Sequence, residues 1–247
     1  MKYHVLIGPV VLIVVWAGVS YFHFVDPFFL PSPFATLGES IQLIFHGSIM
    51  HDVLATLERV AAAFFIATCG GLPLGFVLGS SEKLYRSCEF MIDFFRSLPA
   101  TAMFPLFLLI FGITDQSKIA VAGFASLLIV MFHVAYGVMH AKKTRLLAAK
   151  IMGAKTHQLY RWILFWESLP QTFVGLRNAL SLSLVIVIVT EMFIGTNVGL
   201  GKKIVDFQLT YDMKGMYTAI FLAGLMGYLL NLIFATLEKR WLHWSGK

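Results

Sequence analysis

The chain has 247 residues, of which 58% are hydrophobic and only 13% are charged, and its mean hydropathy is +0.80. Soluble globular domains of this length are far more polar, so the composition indicates a polytopic membrane protein. A formal net charge of +6 would favour a nucleic-acid partner in a soluble protein. In a membrane protein, lysines and arginines instead concentrate in the cytoplasmic loops, which accounts for an excess of positive charge. We therefore expect no nucleic-acid partner.

Six apolar runs are long enough to cross the bilayer, whose hydrocarbon layer of about 30 Å needs roughly 20 helical residues. The sequence therefore predicts an all-α polytopic fold, a single transmembrane domain over residues 1–247 with its core at about 50–240. The predicted spans are Val5–Phe22, Leu54–Ser80, Phe90–Gly112, Ile119–Met139, Phe173–Gly195 and Met216–Leu237.

Lysines and arginines are distributed unevenly between the predicted loops. With an inside N-terminus, the cytoplasmic segments hold 12 of them, from Lys2 to Lys247, and the outer loops hold 4. This bias predicts that both termini lie in the cytoplasm. The tryptophans near predicted inner boundaries are expected to be interfacial anchors, and they are Trp162, Trp166, Trp241 and Trp244.

The first outer loop begins with the rigid turn Leu30-Pro31-Ser32-Pro33. Ser32 is predicted to cap the helix that follows, with Pro33 at its first position. The amphipathic stretch Phe34–Phe45 is expected to rest on the outer surface of the membrane.

The second span carries Gly71, Gly75 and Gly79 at intervals of four residues, which places them on one face of a helix. A strip without side chains lets another helix approach closely. Pro73 within the strip removes a backbone hydrogen bond and predicts a bend. We interpret the glycines as a helix-packing strip. A contact that changes during a transport cycle is the alternative.

The third span is interrupted by Pro99 and Pro105. The carbonyl groups that prolines leave without a partner must be satisfied by protein or by water in a cavity, so this helix is predicted to border a pathway or gate. Arg96 has two interpretations. It either faces that pathway or extends to the membrane interface, as long basic side chains do.

Glu191 lies near the outer end of the fifth span. An ionisable residue in an apolar span is a functional candidate, because burying its charge costs several kcal/mol unless it faces protein or water. Two interpretations stay open. Glu191 is either a packed or solvated acid at the interface, or an acid that lines the pathway.

Motifs for catalysis and nucleotide binding are missing from the sequence. The stretch Gly199-Leu200-Gly201-Lys202-Lys203 lacks the spacing and the Ser or Thr of a phosphate-binding loop. Cys69 and Cys88 have no CxxC pattern and are expected to be small packing residues. We therefore expect no enzymatic activity, no cofactor and no metal in this chain.

The cytoplasmic loop at about 140–170 is the most informative segment of the chain. Gly153 separates a short helix, which Thr144 is expected to cap, from a second helix. The second helix is predicted to carry an apolar stripe at helical spacing, formed by Leu159, Trp162, Ile163 and Trp166. This pattern predicts a compact two-helix knob. A basic loop that lies on anionic lipid would have the same composition.

The loop resembles the signature of permease subunits of bacterial ABC importers, specifically the nitrate, sulfonate and taurine group. That signature reads Glu-Ala-Ala, three residues, Gly, nine residues, Ile, one residue, Leu-Pro. The matching positions are Ala148, Ala149, Gly153 and Ile163. Leu147 stands where the family has Glu, and Phe165-Trp166 replaces the first Leu-Pro. Leu169-Pro170 matches a second Leu-Pro that is frequent in this group.

Further segments similar to this family follow in order along the chain. They are Leu30-Pro31-Ser32-Pro33, Gly71-Leu72-Pro73-Leu74-Gly75, Pro99, Pro105 with Phe111-Gly112, and Glu191 with Gly199-Leu200-Gly201. The resemblance implies a type I importer permease with six transmembrane helices in the bacterial inner membrane. It also implies two permease copies, an external substrate-binding protein and a cytoplasmic ATPase. The ATPase would bind the ATP and receive the loop as a coupling helix. The implied substrate is a small anion or organic solute such as nitrate, sulfonate, taurine or bicarbonate.

Two other functions are compatible with parts of this sequence. An ion-coupled secondary transporter usually needs ion ligands near mid-membrane and often has inverted repeats, neither of which is visible here. A non-transport membrane scaffold would use the same loop for docking. Co-purification with a P-loop ATPase would separate these alternatives.

Overall fold

The computed structural model describes residues 4–45, 49–193 and 196–242, and every regular element in them is a helix. The α-helices are α1 (His4–Tyr21), α2 (Pro33–Phe45), α3 (Met50–Gly79), α4 (Glu82–Ser97), α5 (Phe104–Phe111), α6 (Asp115–Met139), α7 (Lys143–Ile151), α8 (Thr156–Leu159), α9 (Phe165–Glu191), α10 (Leu200–Leu209) and α11 (Met213–Trp241). A 3₁₀ helix (Ala100–Met103) precedes α5, and a π-helix (Tyr160–Leu164) joins α8 to α9. Lys2, Lys247, Trp244 and the Gly195 end of the fifth predicted span lie outside the described residues.

Four helical stretches in the described residues are long and apolar enough to cross a membrane: α3, α6, Thr156–Glu191 and α11. A shorter apolar helix, α1, lies at the predicted first span. The helices α4 and Ala100–Phe111 together form a fifth candidate, but they are bent by 87°. The fold is therefore all-α and membrane-embedded, as predicted.

The bend corrects the predicted third span, because Phe90–Gly112 is not a single helix. Pro99 disfavours a helical conformation at Leu98, and Leu98 is extended, with φ −74° and ψ 128°. The helix therefore ends at Ser97, and the chain turns before α5. Pro105 does not break a helix. It lies in the first turn of α5, where its missing N–H needs no partner.

The chain divides into two compact units, Met1–Thr56 with Glu191–Met226 and Leu57–Thr190 with Gly227–Lys247. In the first unit, Ser32 caps α2 as predicted, because its hydroxyl accepts the Ala35 N–H at 3.2 Å. Helix α2 also packs on α11: the buried Thr218 hydroxyl lies 3.3 Å from the Ser40 hydroxyl and donates to the Thr36 carbonyl. Helix α2 is therefore packed on protein on one side, and its position at the outer surface of the membrane stays a prediction.

The second unit is built around α6. One cluster joins Val130, Val134 and Val138 of α6 to Ala179 of α9, and a second cluster joins Leu128 and Met131 to Ile92 of α4. Cys88 packs on the second cluster, but Cys69 is exposed in this chain, so only Cys88 matches the predicted packing role.

An ionic triad fastens α3 to α6 in the second unit. The Asp115 carboxylate lies 2.9 Å from both Arg59 and Lys118, whose side chains are only 8% and 4% exposed. Two buried cations therefore share one carboxylate at the start of α6.

Candidate functional site

The loop between α6 and α9 folds as two short helices with Gly153 in the turn between them. Helix α7 ends at Ile151, and Gly153 adopts φ +79°, a conformation that favours glycine. Among the described residues, apart from Gly153 and its two neighbours in the chain, no atom lies within 4 Å of where a Cβ at Gly153 would be. Glycine is therefore favoured at this turn by the backbone conformation and not by steric contact with other described residues.

The tip of the loop exposes large apolar side chains. Ile151 is 87% exposed, Met152 is 85% exposed and Leu147 is 58% exposed. Ala148 is also exposed, and Ala149 is half-buried. We call the segment from Lys143 to Leu159 the knob. An apolar patch of this kind marks a surface that contacts protein or membrane.

The remaining signature residues lie beyond the knob. Ile163 is half-buried in the π-helix, Leu169 is buried in α9, and Pro170 lies inside α9. The structure therefore brings Leu147, Ala148, Ala149 and Gly153 together on the knob and does not place Leu169 on the same exposed surface.

Two local predictions for this loop are wrong. Lys142 precedes α7 without a side-chain cap, so Thr144 does not cap the helix. The predicted apolar stripe is also interrupted, because the π-helix Tyr160–Leu164 shifts the helical register. As a result Leu159 is buried, whereas Trp162 is 63% exposed.

An ion pair between Arg145 of α7 and Glu167 of α9 ties the knob to a long apolar helix. Since Glu167 lies in the first turn of α9, a displacement of α7 would pull on the start of that helix.

Glu191 lies in a buried hydrogen-bonded cluster of the first unit. The Thr56 hydroxyl is 3.0 Å and 2.9 Å from the two carboxylate oxygens, and the Gly201 N–H donates to the carboxylate at 3.0 Å. Both Glu191 and Thr56 are 0% exposed. The interpretation of Glu191 as a solvated interface acid is therefore wrong.

The same cluster holds the N-terminus of α10. The Gly199 N–H donates to Asp52 at 2.8 Å, and the Leu200 N–H donates to the Thr56 hydroxyl at 2.9 Å. Carboxylates are stabilised at a helix N-terminus by its positive dipole end. Gly199 has φ +143°, and a Cβ there would come within 2.5 Å of the Glu191 carboxyl carbon. We call this set, which is Asp52, Thr56, Glu191, Gly199, Leu200 and Gly201, the α10 clamp.

Sequence reasoning missed Asp52 and Thr56 because 135 residues separate Thr56 from Glu191. Two signals were available in the sequence. Gly199 and Gly201 follow shortly after the lone intramembrane acid Glu191. Asp52 is an acid without an assigned role just before the second span.

The glycine strip of α3 packs directly against the backbone and Cβ atoms of α6. A Cβ on Gly71 would lie 2.7 Å from the Val130 Cβ, and one on Gly75 would lie 2.5 Å from the Met131 carbonyl oxygen. At Gly79 the Ala135 carbonyl oxygen would be 2.7 Å away. No side chain fits between the helices at any of these three positions unless the helices move.

Arg96 lies beside a cavity of about 330 Å³ in the second unit. Its guanidinium carbon is 4.1 Å from the centre of the Phe132 ring, and its distance to the Asp93 carboxylate is 3.5 Å. Leu98 and Ala100, on either side of Pro99, line the same cavity, whereas Pro105 does not.

The helical arrangement and the loop define a class, the membrane-embedded permeases of ABC importers. A chain of the MetNI methionine ABC transporter, in an inward-facing conformation, has the same fold with a TM-score of 0.68 at 22% identity, covering 78% of this chain and 95% of that chain. Among the described residues, no group of three or more His, Cys, Asp or Glu side chains is arranged to hold a metal ion.

The chain belongs to the family of binding-protein-dependent transport system inner membrane components, whose pattern matches residues 71–243. A probable ABC transporter permease protein of Brucella abortus is 28% identical over 218 residues, covering 88% of this chain and 87% of its own length. The taurine transport system permease protein TauC of Escherichia coli is 27% identical, covering 96% of this chain and 88% of its own. The nitrate import permease protein NrtB of Synechocystis is 27% identical, covering 85% of this chain and 79% of its own length.

These findings confirm the family that the loop signature indicated. The chain is an ABC importer permease and a multi-pass protein of the bacterial inner membrane.

Proposed function

We propose that this chain forms the translocation pathway of an ATP-driven importer as a dimer of two copies. It acts with a separate cytoplasmic ATPase and an external substrate-binding protein, and it carries out no covalent chemistry itself. The cargo is a small anion or organic solute of the kind named in its relatives, such as taurine, a sulfonate or nitrate, with bicarbonate in the same size class.

The observation that carries this proposal is the knob. Its tip exposes Ile151 and Met152 almost completely, although both are large apolar side chains. Burying such side chains against a partner stabilises a complex by about 1.5–3 kcal/mol each. The glycine turn with φ +79° ends α7 and holds these side chains at the tip of the loop. Docking on a partner protein explains why such large apolar side chains are exposed there.

Movement of the knob is transmitted to the transmembrane region through α9. The ion pair between Arg145 and Glu167 joins α7 to the first turn of α9. When two ATPases close on ATP, the two knobs approach each other, and the attached helices move with them. Rigid-body rotation of packed helices then exchanges an inward-open pathway for an outward-open one.

Two variants of the knob test this proposal. Gly153→Trp puts a bulky side chain at a left-handed turn, and Leu147→Asp would bury an unpaired charge if α7 docks on the ATPase. Each variant should stay folded in the membrane but lose ATPase binding by roughly tenfold or more, Gly153→Trp because its side chain obstructs docking and Leu147→Asp because it buries an unpaired charge. Gly153→Ala and Leu147→Asn are the matched controls. Gly153→Ala should bind the ATPase more tightly than Gly153→Trp, and Leu147→Asn should bind it more tightly than Leu147→Asp.

The measurement is affinity purification of the tagged permease in mild detergent, followed by quantification of the bound ATPase and of its ATP hydrolysis. Full ATPase binding and normal hydrolysis in both Gly153→Trp and Leu147→Asp would show that the knob is not the coupling element.

A further inference from the structure

The short helix α4 runs antiparallel along α6, which places its C-terminal end deep in the transmembrane region. The Phe95 ring lies 5.7 Å from Phe124, and one turn earlier Ile92 packs with Leu128 and Met131. At 1.5 Å per residue, Phe124 is about 14 Å from one end of α6 and about 22 Å from the other. The backbone of Arg96, next to Phe95, therefore lies at the middle depth of a membrane-spanning helix.

The guanidinium extends from this backbone position to Phe132, about 10 Å from the Met139 end of α6. A charge inside the span is costly unless it faces protein, water or a ligand. A guanidinium carries five N–H donors. Within the described residues, Arg96 donates one hydrogen bond, to Asp93 at 3.5 Å, which is longer than the roughly 2.7–3.2 Å usual for such a bond. Its other contact is with the face of Phe132. Its donor capacity is therefore largely unused within these residues.

The cavity beside Arg96 is otherwise apolar. Phe95, Leu98, Met103, Phe124 and Leu128 line it, and among the described residues of that lining Arg96 is the one charged side chain. A cavity of about 330 Å³ with one cation in an apolar wall favours anions over cations. The planar fork of a guanidinium also matches the oxygens of an oxyanion in a bidentate arrangement.

We propose that Arg96 is an oxyanion-binding site within the translocation pathway, where it receives a sulfonate, a nitrate or a similar group during passage. This inference rests on the proposed function and specifies the chemical class of its cargo. It predicts that neutral and cationic solutes of equal size enter the cavity less readily than anions. The same oxyanion chemistry is present in phospholipid headgroups, so the test separates a soluble anion from a lipid phosphate.

The test measures the charge preference of the cavity by cysteine modification. A version with Cys69→Ala and Cys88→Ala carries the reporter Met103→Cys in the cavity lining, within the whole complex in phosphatidylcholine nanodiscs. The probes are the anionic reagent sulfonatoethyl methanethiosulfonate and its cationic trimethylammonioethyl counterpart. With Arg96 present, the anionic reagent should react faster. Arg96→Gln should reduce the ratio of anionic to cationic rates by roughly tenfold, as expected for one charge at close range.

Two further variants complete the design. Arg96→Lys keeps the charge and should keep most of the preference. Arg86→Gln removes an arginine of the same helix that is exposed and paired with Glu82 at 2.7 Å, and it should leave the ratio unchanged. Free methanesulfonate should slow the anionic reagent when Arg96 is present and have no effect in Arg96→Gln. The competition in the reporter protein that retains Arg96 still tests the proposal if Arg96→Gln fails to fold.

Equal rate ratios with Arg96 and Arg96→Gln would overturn the proposal, as would a reporter that neither reagent reaches. Protection of the reporter by phosphatidylglycerol nanodiscs but not by methanesulfonate would assign the site to a lipid headgroup and also overturn it. The measurement needs no ATP hydrolysis. If the permease lacked an ATPase partner, the proposed function would fail while this charge preference would still be observed.

Discussion

The contact between the glycine strip of α3 and α6 leads to a quantitative prediction for Gly75. A Cβ added at Gly75 would lie 2.7 Å from the Val134 Cβ and 2.5 Å from the Met131 carbonyl oxygen. Non-bonded carbon atoms prefer a separation of about 3.5–4.0 Å, so α3 and α6 would have to separate locally by roughly 1 Å. Since the clash involves backbone and Cβ atoms, no rotamer change relieves it.

Overpacking of this kind costs about 1–3 kcal/mol. Gly75→Ala should fall at the lower end of that range and Gly75→Leu at or above the upper end. For a chain of this length, such a loss lowers the melting temperature by roughly 2–12 °C. The assay is thermal unfolding of the purified permease in detergent, followed by size-exclusion chromatography of the remaining folded protein.

Gly224→Ala is the matched control, because Gly224 is an exposed glycine in the interior of the apolar helix α11. Within the described part of the chain, no atom beyond its own helical turns lies within 4 Å of its Cβ position. This change should leave the melting temperature the same or raise it, since alanine favours helix over glycine by about 1 kcal/mol. If Gly75→Leu unfolded at the same temperature as Gly224→Ala and transported normally, the close helix contact would have no structural role.

Three further predictions concern topology and buried charge. Gln116→Cys should react with an impermeant maleimide in intact cells and Lys143→Cys should not, and the reverse pattern would invert the orientation. Glu191→Gln should lower the stability by about 1–3 kcal/mol because the hydrogen bonds from α3 and α10 lose their carboxylate acceptor, and an unchanged melting temperature would contradict the α10 clamp. Asp115→Asn should also destabilise by about 1–3 kcal/mol, since two buried cations lose the carboxylate that they share, and an unchanged melting temperature would contradict the ionic triad.

Spacing along the sequence was enough to find the features that depend on local geometry. Glycines at intervals of four must share a helix face, and their contact with α6 follows from that arrangement. In the cytoplasmic loop, a glycine between two helical patterns predicted the turn at Gly153, which has the positive φ angle expected of such a turn.

Other features depend on contacts that a sequence does not display. The two prolines of the third span marked an interruption, but the 87° bend depends on how α5 packs after Pro99. The π-helix at Tyr160–Leu164 adds a residue to one turn without any proline or glycine to signal it. The α10 clamp joins α3 to residues about 140 positions away, so Thr56 had no local pattern that distinguished it.

The most direct test of the account is uptake into proteoliposomes that contain the purified permease with its ATPase and binding protein. Labelled taurine and nitrate serve as probes, because permeases of systems for both are relatives of this chain. We predict that at least one of them accumulates only when ATP is supplied to the ATPase side and the binding protein to the opposite side, and that Gly153→Trp abolishes this uptake. Accumulation driven by a proton or sodium gradient, in vesicles that contain the permease without the ATPase, would contradict the account and identify a secondary transporter.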